Sequence, residues 1–223
     1  MKTWHIHIEG RVQGVGFRPF IYRLANKMNL KGDVANTPNG VHIQINAPKQ
    51  ILDDFIINIK RDAPKGAHIS AINYVIKDSL DFESFEIVES RNTYKPKLLL
   101  TPDIAICSSC KKEIHDELNK RFGYAFTTCT QCGPRFSIMQ NVPYDRETTT
   151  MKSFAMCKSC DSEYGQVEDK RFYSQTNSCP DCGVALHWLS NEPAGVEPLL
   201  HLVRLLHAGK IVAVKGIGGF LLL

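Results

Sequence analysis

Eight cysteines carry the most explicit chemistry in this sequence. All lie in C-x-x-C pairs: Cys107/Cys110, Cys129/Cys132, Cys157/Cys160 and Cys179/Cys182. The spacing is C-x2-C-x18-C-x2-C, then a gap of 24 residues, then the same spacing again. A C-x-x-C knuckle turns two thiolates toward one metal, and two knuckles complete a tetrahedral four-sulfur shell that suits zinc. Eight thiolates predict two zinc ions in closed shells, with no open position for water and hence a structural role. An iron–sulfur cluster and redox-active thiols are the alternatives. The knuckles can pair in three ways; the duplication favours each repeat closing its own site, and interleaved pairing stays open. The repeat extends beyond cysteine, since Lys120-Arg121-Phe122 maps onto Lys170-Arg171-Phe172 and Gly133 onto Gly183, fifty residues later.

A second chemical group is the stretch GRVQGVGFRPF, Gly10 to Phe20. A glycine-rich loop entering a helix N-terminus points backbone N–H groups into one small space, which suits an anion such as phosphate. Arg18 adds a planar, permanently charged fork matched to phosphate oxygens. Asn36 ends the strand after the first helix, near the same sheet edge, where an amide can orient an attacking water. The competing reading is a tight turn with a solvated arginine. The loop alone does not separate phosphate from sulfate or carboxylate.

These residues need elements to hold them. KTWHIHIE alternates as a strand from Lys2 to Glu9, and RPFIYRLANKMNL sets Phe20, Ile21, Leu24, Ala25 and Met28 on one helical face. GDVAN, a turn at TPNG with the hairpin signal Asn39-Gly40, and the alternating VHIQINA follow. A second helix is predicted from about Lys49 to Lys60, then strand-like HISAINYVIK and SFEIVE. The order β-α-β-β-α-β, with room for one extra short strand, is the ferredoxin-like split βαβ arrangement. A linker is expected over residues 91–98, a turn-rich cysteine region over 99–189, and a third unit from 196, with a helix in EPLLHLVRLLHAGK and a buried strand in IVAVKG. One helix and one strand cannot bury a core, so the chain is read as a fragment or truncated product stopping at the start of a further α/β domain.

Composition bounds the partners. Hydrophobic content of 43%, charged content of 22% and a net charge of +4 describe an ordinary globular chain of 223 residues, with no basic run that predicts a nucleic-acid or membrane partner. There is no apolar stretch of signal-peptide or membrane-span length, which favours the cytoplasm. His5 and His7 are read as structural, His115 as a weak competitor for zinc, and Tyr144-Asp145-Arg146 as a turn between the repeats. Lys215 with Gly216, Gly218 and Gly219 is a weak nucleotide-loop signal.

The loop GRVQGVGFR in this element order, followed by GDVAN, resembles the acylphosphatase family over residues 1 to 90. The resemblance implies phosphate bound by Gln13, Gly14, Val15, Gly16, Phe17 and Arg18, with Arg18 the essential arginine. It implies Asn36 as the water-orienting residue and no metal in that reaction. The acylphosphatase-like part followed by the doubled cysteine unit, with FTTCTQCGPRFSI, VPYDRETTTM, Glu163-Tyr164 and KGIGGF, resembles the HypF-type hydrogenase-maturation carbamoyltransferase family. That resemblance implies an α+β chain: a ferredoxin-like acylphosphatase domain (1–91), a duplicated zinc-finger region (99–189) and the truncated start of a YrdC-like domain (196–223). It implies carbamoyl phosphate split at the first domain and, in the full-length protein, ATP-dependent adenylation of carbamate. The carbamoyl group then passes to the C-terminal cysteine of a HypE-type partner and becomes a cyanide ligand of NiFe hydrogenase. A stand-alone acylphosphatase and a zinc-stabilised, non-catalytic docking module are the alternatives. The chain departs from the family pattern at Leu221, at Tyr173, Ser174 and Thr176 within Arg171-Phe172-Tyr173-Ser174-Gln175-Thr176, and at Val184. These departures are read as bearing on the C-terminal nucleotide chemistry and as sparing the zinc ligands, Arg18 and Asn36.

Overall fold

The computed structural model describes residues 2–90, 94–97, 99–189 and 197–223. The boundaries expected at 91 and 196, and parts of the 91–98 linker, lie outside the described residues.

The N-terminal half follows the expected order. Strand β1 (Thr3–Arg11) leads through the glycine loop to helix α1 (Phe17–Lys27), then β2 (Lys31–Thr37), β3 (Gly40–Asn46), helix α2 (Lys49–Asp62) and β4 (His68–Lys77). The extra short strand is β5 (Phe85–Ile87). The sheet order is β4-β1-β3-β2-β5, antiparallel except for the parallel β2–β5 edge. Alternation on β1 puts Trp4, Ile6 and Ile8 under the helices and leaves His5, His7 and Glu9 on the other face. Ile6 pairs with Ile43 on one side and Tyr74 on the other. Ile21, Leu24 and Ala25 of α1 and Leu52, Phe55 and Ile59 of α2 close the core.

One local detail differs from the expected one. The strand β1 continues to Arg11 because a register shift at Glu9/Gly10 lets the chain stay paired with β4. Gly10 sits at φ 125°, and a Cβ there would lie 2.1 Å from the His68 carbonyl oxygen. The β2–β3 hairpin forms at the expected TPNG turn, with Pro38 and Asn39 as its two loop residues. Proline holds a negative φ that fits the first loop position, and Gly40 is drawn into the ladder opposite Thr37.

The cysteine region carries little regular structure: α3 (Ser108–His115), α4 (Lys158–Gly165) and three single 3₁₀ turns. It packs on the N-terminal half through both repeats. Arg23 donates to the Val167 and Asp169 carbonyls, Tyr22 meets Phe172, and Arg135 donates to the Gly14 carbonyl. Beyond it, α5 (Pro198–His207), β6 (Ala213–Lys215) and β7 (Phe220–Leu222) form the third unit. The expectation of a buried strand in IVAVKG fails. Among the described residues β6 pairs with β7 alone and no layer covers it, so only Val212 is buried. No helix of the described residues is long and apolar enough to cross a membrane.

Candidate anion site and two four-cysteine centres

The glycine loop is shaped for close approach. Gly14 (φ 70°) and Gly16 (φ 76°) both take left-handed conformations that a β-carbon would strain. Gly16 caps α1 without any side-chain hydrogen bond, so the first amides of the helix stay available to a ligand. Gln13 serves this loop by holding it. Its amide nitrogen donates to the Thr37 and Gly40 carbonyls, both at 2.8 Å, and its amide oxygen accepts from the Tyr144 N–H at 2.8 Å. Only the backbone of Gln13 is left to meet an anion.

Arg18 lies on the first turn of α1 and is 8% exposed. Its Nη2 donates to Oδ1 of Asp145 at 2.5 Å, and its Nη1 reaches Oγ of Ser90 at 3.5 Å. Ser90 donates in turn to the other Asp145 oxygen. Asn36, 2% exposed, donates to the Tyr144 carbonyl at 3.2 Å, while its Oδ1 is buried with no partner. The Tyr144 hydroxyl is likewise buried and unpartnered. Burial pushes that phenol up, against the pull of the Arg135 guanidinium near its ring. A buried polar atom without a partner is costly, and two around one small cavity mark a place where water or ligand belongs. That cavity measures about 30 Å³, room for water with Asp145 in place. Gln13, Gly14, Gly16, Phe17, Arg18, Asn36 and Tyr144 contribute to its wall.

The loop, Arg18 and Asn36 therefore come together, yet six of the fourteen residues of the wall come from the cysteine region. Tyr144-Asp145-Arg146 is not a bland turn; it sits over Arg18. The departures at Tyr173 and Ser174, with the neighbouring Gln175, also line this cavity, so those two bear on the anion site and not on the C-terminal unit. Thr101 donates to the Gln13 carbonyl at 2.6 Å. Arg135, 2% exposed, spends its donors on the Gly14, Cys129, Thr130, Cys132 and Pro134 carbonyls. The only sequence signal for this was Tyr, Asp and Arg standing together in a segment with no apolar period.

Each cysteine repeat closes on itself. Cys107, Cys110, Cys129 and Cys132 form one cluster, and Cys157, Cys160, Cys179 and Cys182 the other, with all sulfurs of a set within 4.8 Å. Neighbouring sulfurs are 3.8 Å apart for Cys107–Cys129 and Cys129–Cys132, 3.7 Å for Cys157–Cys179 and 3.6 Å for Cys160–Cys182. A zinc tetrahedron with Zn–S bonds of about 2.3 Å has edges of about 3.8 Å. A disulfide needs about 2.0 Å, and all eight thiols are free. Hydrogen bonding to Cys129 and Cys132, with burial, pushes the Cys110 thiol up; burial and then its sulfur neighbours do the same to Cys160. A dication is what lets four thiolates share such a space. His115 is exposed, with its ring on the Lys111 carbonyl, and lies outside both sets.

The two centres are cross-braced. Arg121 of the first repeat donates to Glu163 of the second, to the Ser178 carbonyl at 2.8 Å and toward Cys160 Sγ at 3.5 Å. Arg171 does the same in reverse with Glu113, the Thr128 carbonyl at 2.9 Å and Cys110 Sγ at 3.9 Å. Lys120 and Lys170 add the matching pairs to Glu163 and Glu113. Burial pushes Glu163 up, but Arg121 and then Lys120 outweigh it and hold the carboxyl down at about 2.

The comparisons agree with this geometry. Residues 4–87 match the acylphosphatase family model, and residues 106–139 and 156–189 each match the HypF finger. Carbamoyltransferase HypF of Rhodobacter capsulatus is 45% identical over 99% of the chain and 29% of its own length. The acylphosphatase of Pseudothermotoga lettingae is 44% identical over 40% of the chain and 99% of its own length. A crystal structure of full-length HypF in the phosphate- and nucleotide-bound form superposes with a TM-score of 0.93 and 39% identity, over 99% of the chain and 29% of that structure. The chain thus spans under a third of the HypF relatives it matches.

Proposed function

This chain belongs to the HypF carbamoyltransferase family, by an acylphosphatase domain followed by paired HypF fingers, and from that premise we propose that its anion site hydrolyses carbamoyl phosphate. The observation that carries the reading is the buried, unpartnered Oδ1 of Asn36 beside the Arg18 guanidinium at the N-terminus of α1. Arg18 and the loop amides from Gly14 to Phe17 hold the phosphoryl oxygens. Asn36 Oδ1 accepts a hydrogen from the attacking water and orients it. The water oxygen bonds to phosphorus as the bond to the carbamoyl oxygen breaks, and the products are phosphate and carbamate. Carbamate is a good leaving group, so positioning and charge suffice and no strong base is needed.

Within the full-length protein we assign the later steps to other parts: ATP-dependent activation of carbamate in a YrdC-like domain, of which residues 196–223 are the start, and transfer to a HypE-type partner in the cytoplasm. The eight cysteines hold two structural zinc ions and take no part in the hydrolysis. Arg18→Ala should lower kcat/KM for carbamoyl phosphate about 10²–10³-fold, the usual cost of one preorganised charge-stabilising donor. Equal rates in wild type and variant would overturn the site. Freshly purified, reduced protein should carry close to two zinc ions per chain; a value near zero would overturn the metal reading.

A further inference from the structure

The carboxylate on Arg18 poses a problem for any anionic substrate. Arg18 gives an Nη2 N–H to Asp145, and a phosphoryl group bound by its remaining donors would bring a second anion up to that carboxylate. The contact is nonetheless built in on every side. The Tyr144 N–H and carbonyl are held by Gln13 and Asn36. The Asp145 N–H donates to Thr148 Oγ1 at 3.0 Å, and Arg146 is pinned to the Gln175 and Asn177 carbonyls at 2.9 and 3.0 Å. A segment held this firmly has to be accommodated by the substrate. We infer that Asp145 is a specificity-determining residue, whose carboxylate accepts a hydrogen bond from the amino group of the carbamoyl substrate once Arg18 turns to the phosphate.

The chemistry selects for that amino group. Carbamoyl phosphate brings two N–H donors next to the transferred phosphoryl group, while acetyl phosphate has a methyl there and brings none. With the first, Asp145 exchanges one donor for another. With the second, it keeps only Ser90 and lies close to a new negative charge. A site that hydrogen-bonds a substrate N–H discriminates against the analogue without it more sharply than a pocket that reads size. The Tyr144 hydroxyl, buried and unpartnered on a residue that lines the same cavity, is a further sign that a polar ligand completes it, beside the Asn36 Oδ1 that orients the water.

This inference rests on the hydrolase reading above, and one experiment separates them. Phosphate release by the 223-residue chain is measured with carbamoyl phosphate and acetyl phosphate for wild type, Asp145→Asn and Asp145→Ala, each checked for two zinc ions per chain. Wild type should prefer carbamoyl phosphate by about 10–100-fold in kcat/KM, the range expected for one hydrogen bond to a charged group. Asp145→Ala should bring that ratio close to one, mainly by raising the acetyl phosphate rate. Asp145→Asn, which keeps an acceptor oxygen and the side-chain size, should fall between. Inorganic phosphate, titrated by calorimetry, should bind Asp145→Ala about tenfold more tightly than wild type, since a competing carboxylate is gone. A wild type that hydrolyses both esters without preference, or a preference that survives in both variants, overturns the inference and leaves the hydrolase standing. A wild type that hydrolyses neither overturns both.

Discussion

The two halves of this chain are buried by opposite means. In the N-terminal half, Ile6, Ile8, Phe17, Ile21, Ile43, Ile45, Leu52, Phe55 and Ile59 interlock under a sheet, and each is fully buried. In the cysteine region the fully buried large side chains are arginines, Arg121 and Arg135, with Arg171 close behind. The first half spreads its stability over many interchangeable apolar contacts. The second depends on a few charged groups that are worthless, or worse, when one is missing. Its polar interior also explains why it can reach into a charged site: the same kind of donor that braces the metal centres holds the glycine loop through Arg135.

The largest test of that contrast is removal of metal. Structural zinc contributes about 10–16 kcal/mol per ion in small zinc domains. Chelation should therefore unfold the cysteine region while the ferredoxin-like half keeps its hydrogen-exchange protection in β1, β3 and α2. Loss of protection in both halves together would erase the distinction. A step smaller, Phe55→Ala should cost about 3–5 kcal/mol in the N-terminal half and leave zinc binding at two ions. Arg121→Met should cost about 3 kcal/mol in the other half, because it leaves Glu163 beside a thiolate set with only the half-buried Lys120 as its ion-pair partner. Adding Glu163→Leu to it should restore part of that loss, and a double variant no better than the single one would count against the bracing role. The smallest effect is in acid. Glu163 has its carboxyl held down at about 2, so its contribution is full above pH 4.5 and fades as pH falls toward 2. The stability difference between wild type and Glu163→Gln should be about 2 kcal/mol at neutral pH and vanish across that window. A difference constant with pH would mean the charge does not matter.

Much of the frame could be read from residues alone because it is written in local periods. The β1 alternation, the α1 and α2 faces and the two identical cysteine spacings each lie within one stretch of chain, and each led to the right element. The site was half legible for the same reason: Arg18 and the glycines share one loop, and Asn36 follows one helix later. Asp145 was not legible. It meets Arg18 across 127 residues, from a segment with no apolar period to predict where it lies. Tyr173 and Ser174 were visible as departures from a family pattern but could not be placed, since only the cross-bracing of the repeats carries them to the anion cavity.

The reciprocal arginines have a genealogical consequence. Each repeat carries both parts of the exchange, an arginine to give and a glutamate to receive, fifty positions apart in register with its twin. Two separate copies of one finger would satisfy each other in the same way. The arrangement is that of a two-fold homodimer whose partners have been spliced into one chain, and once spliced they were free to diverge. One copy lends its flank at Arg135 to the glycine loop, the other lends Tyr173 and Gln175 to the cavity, and the junction between them delivers Asp145.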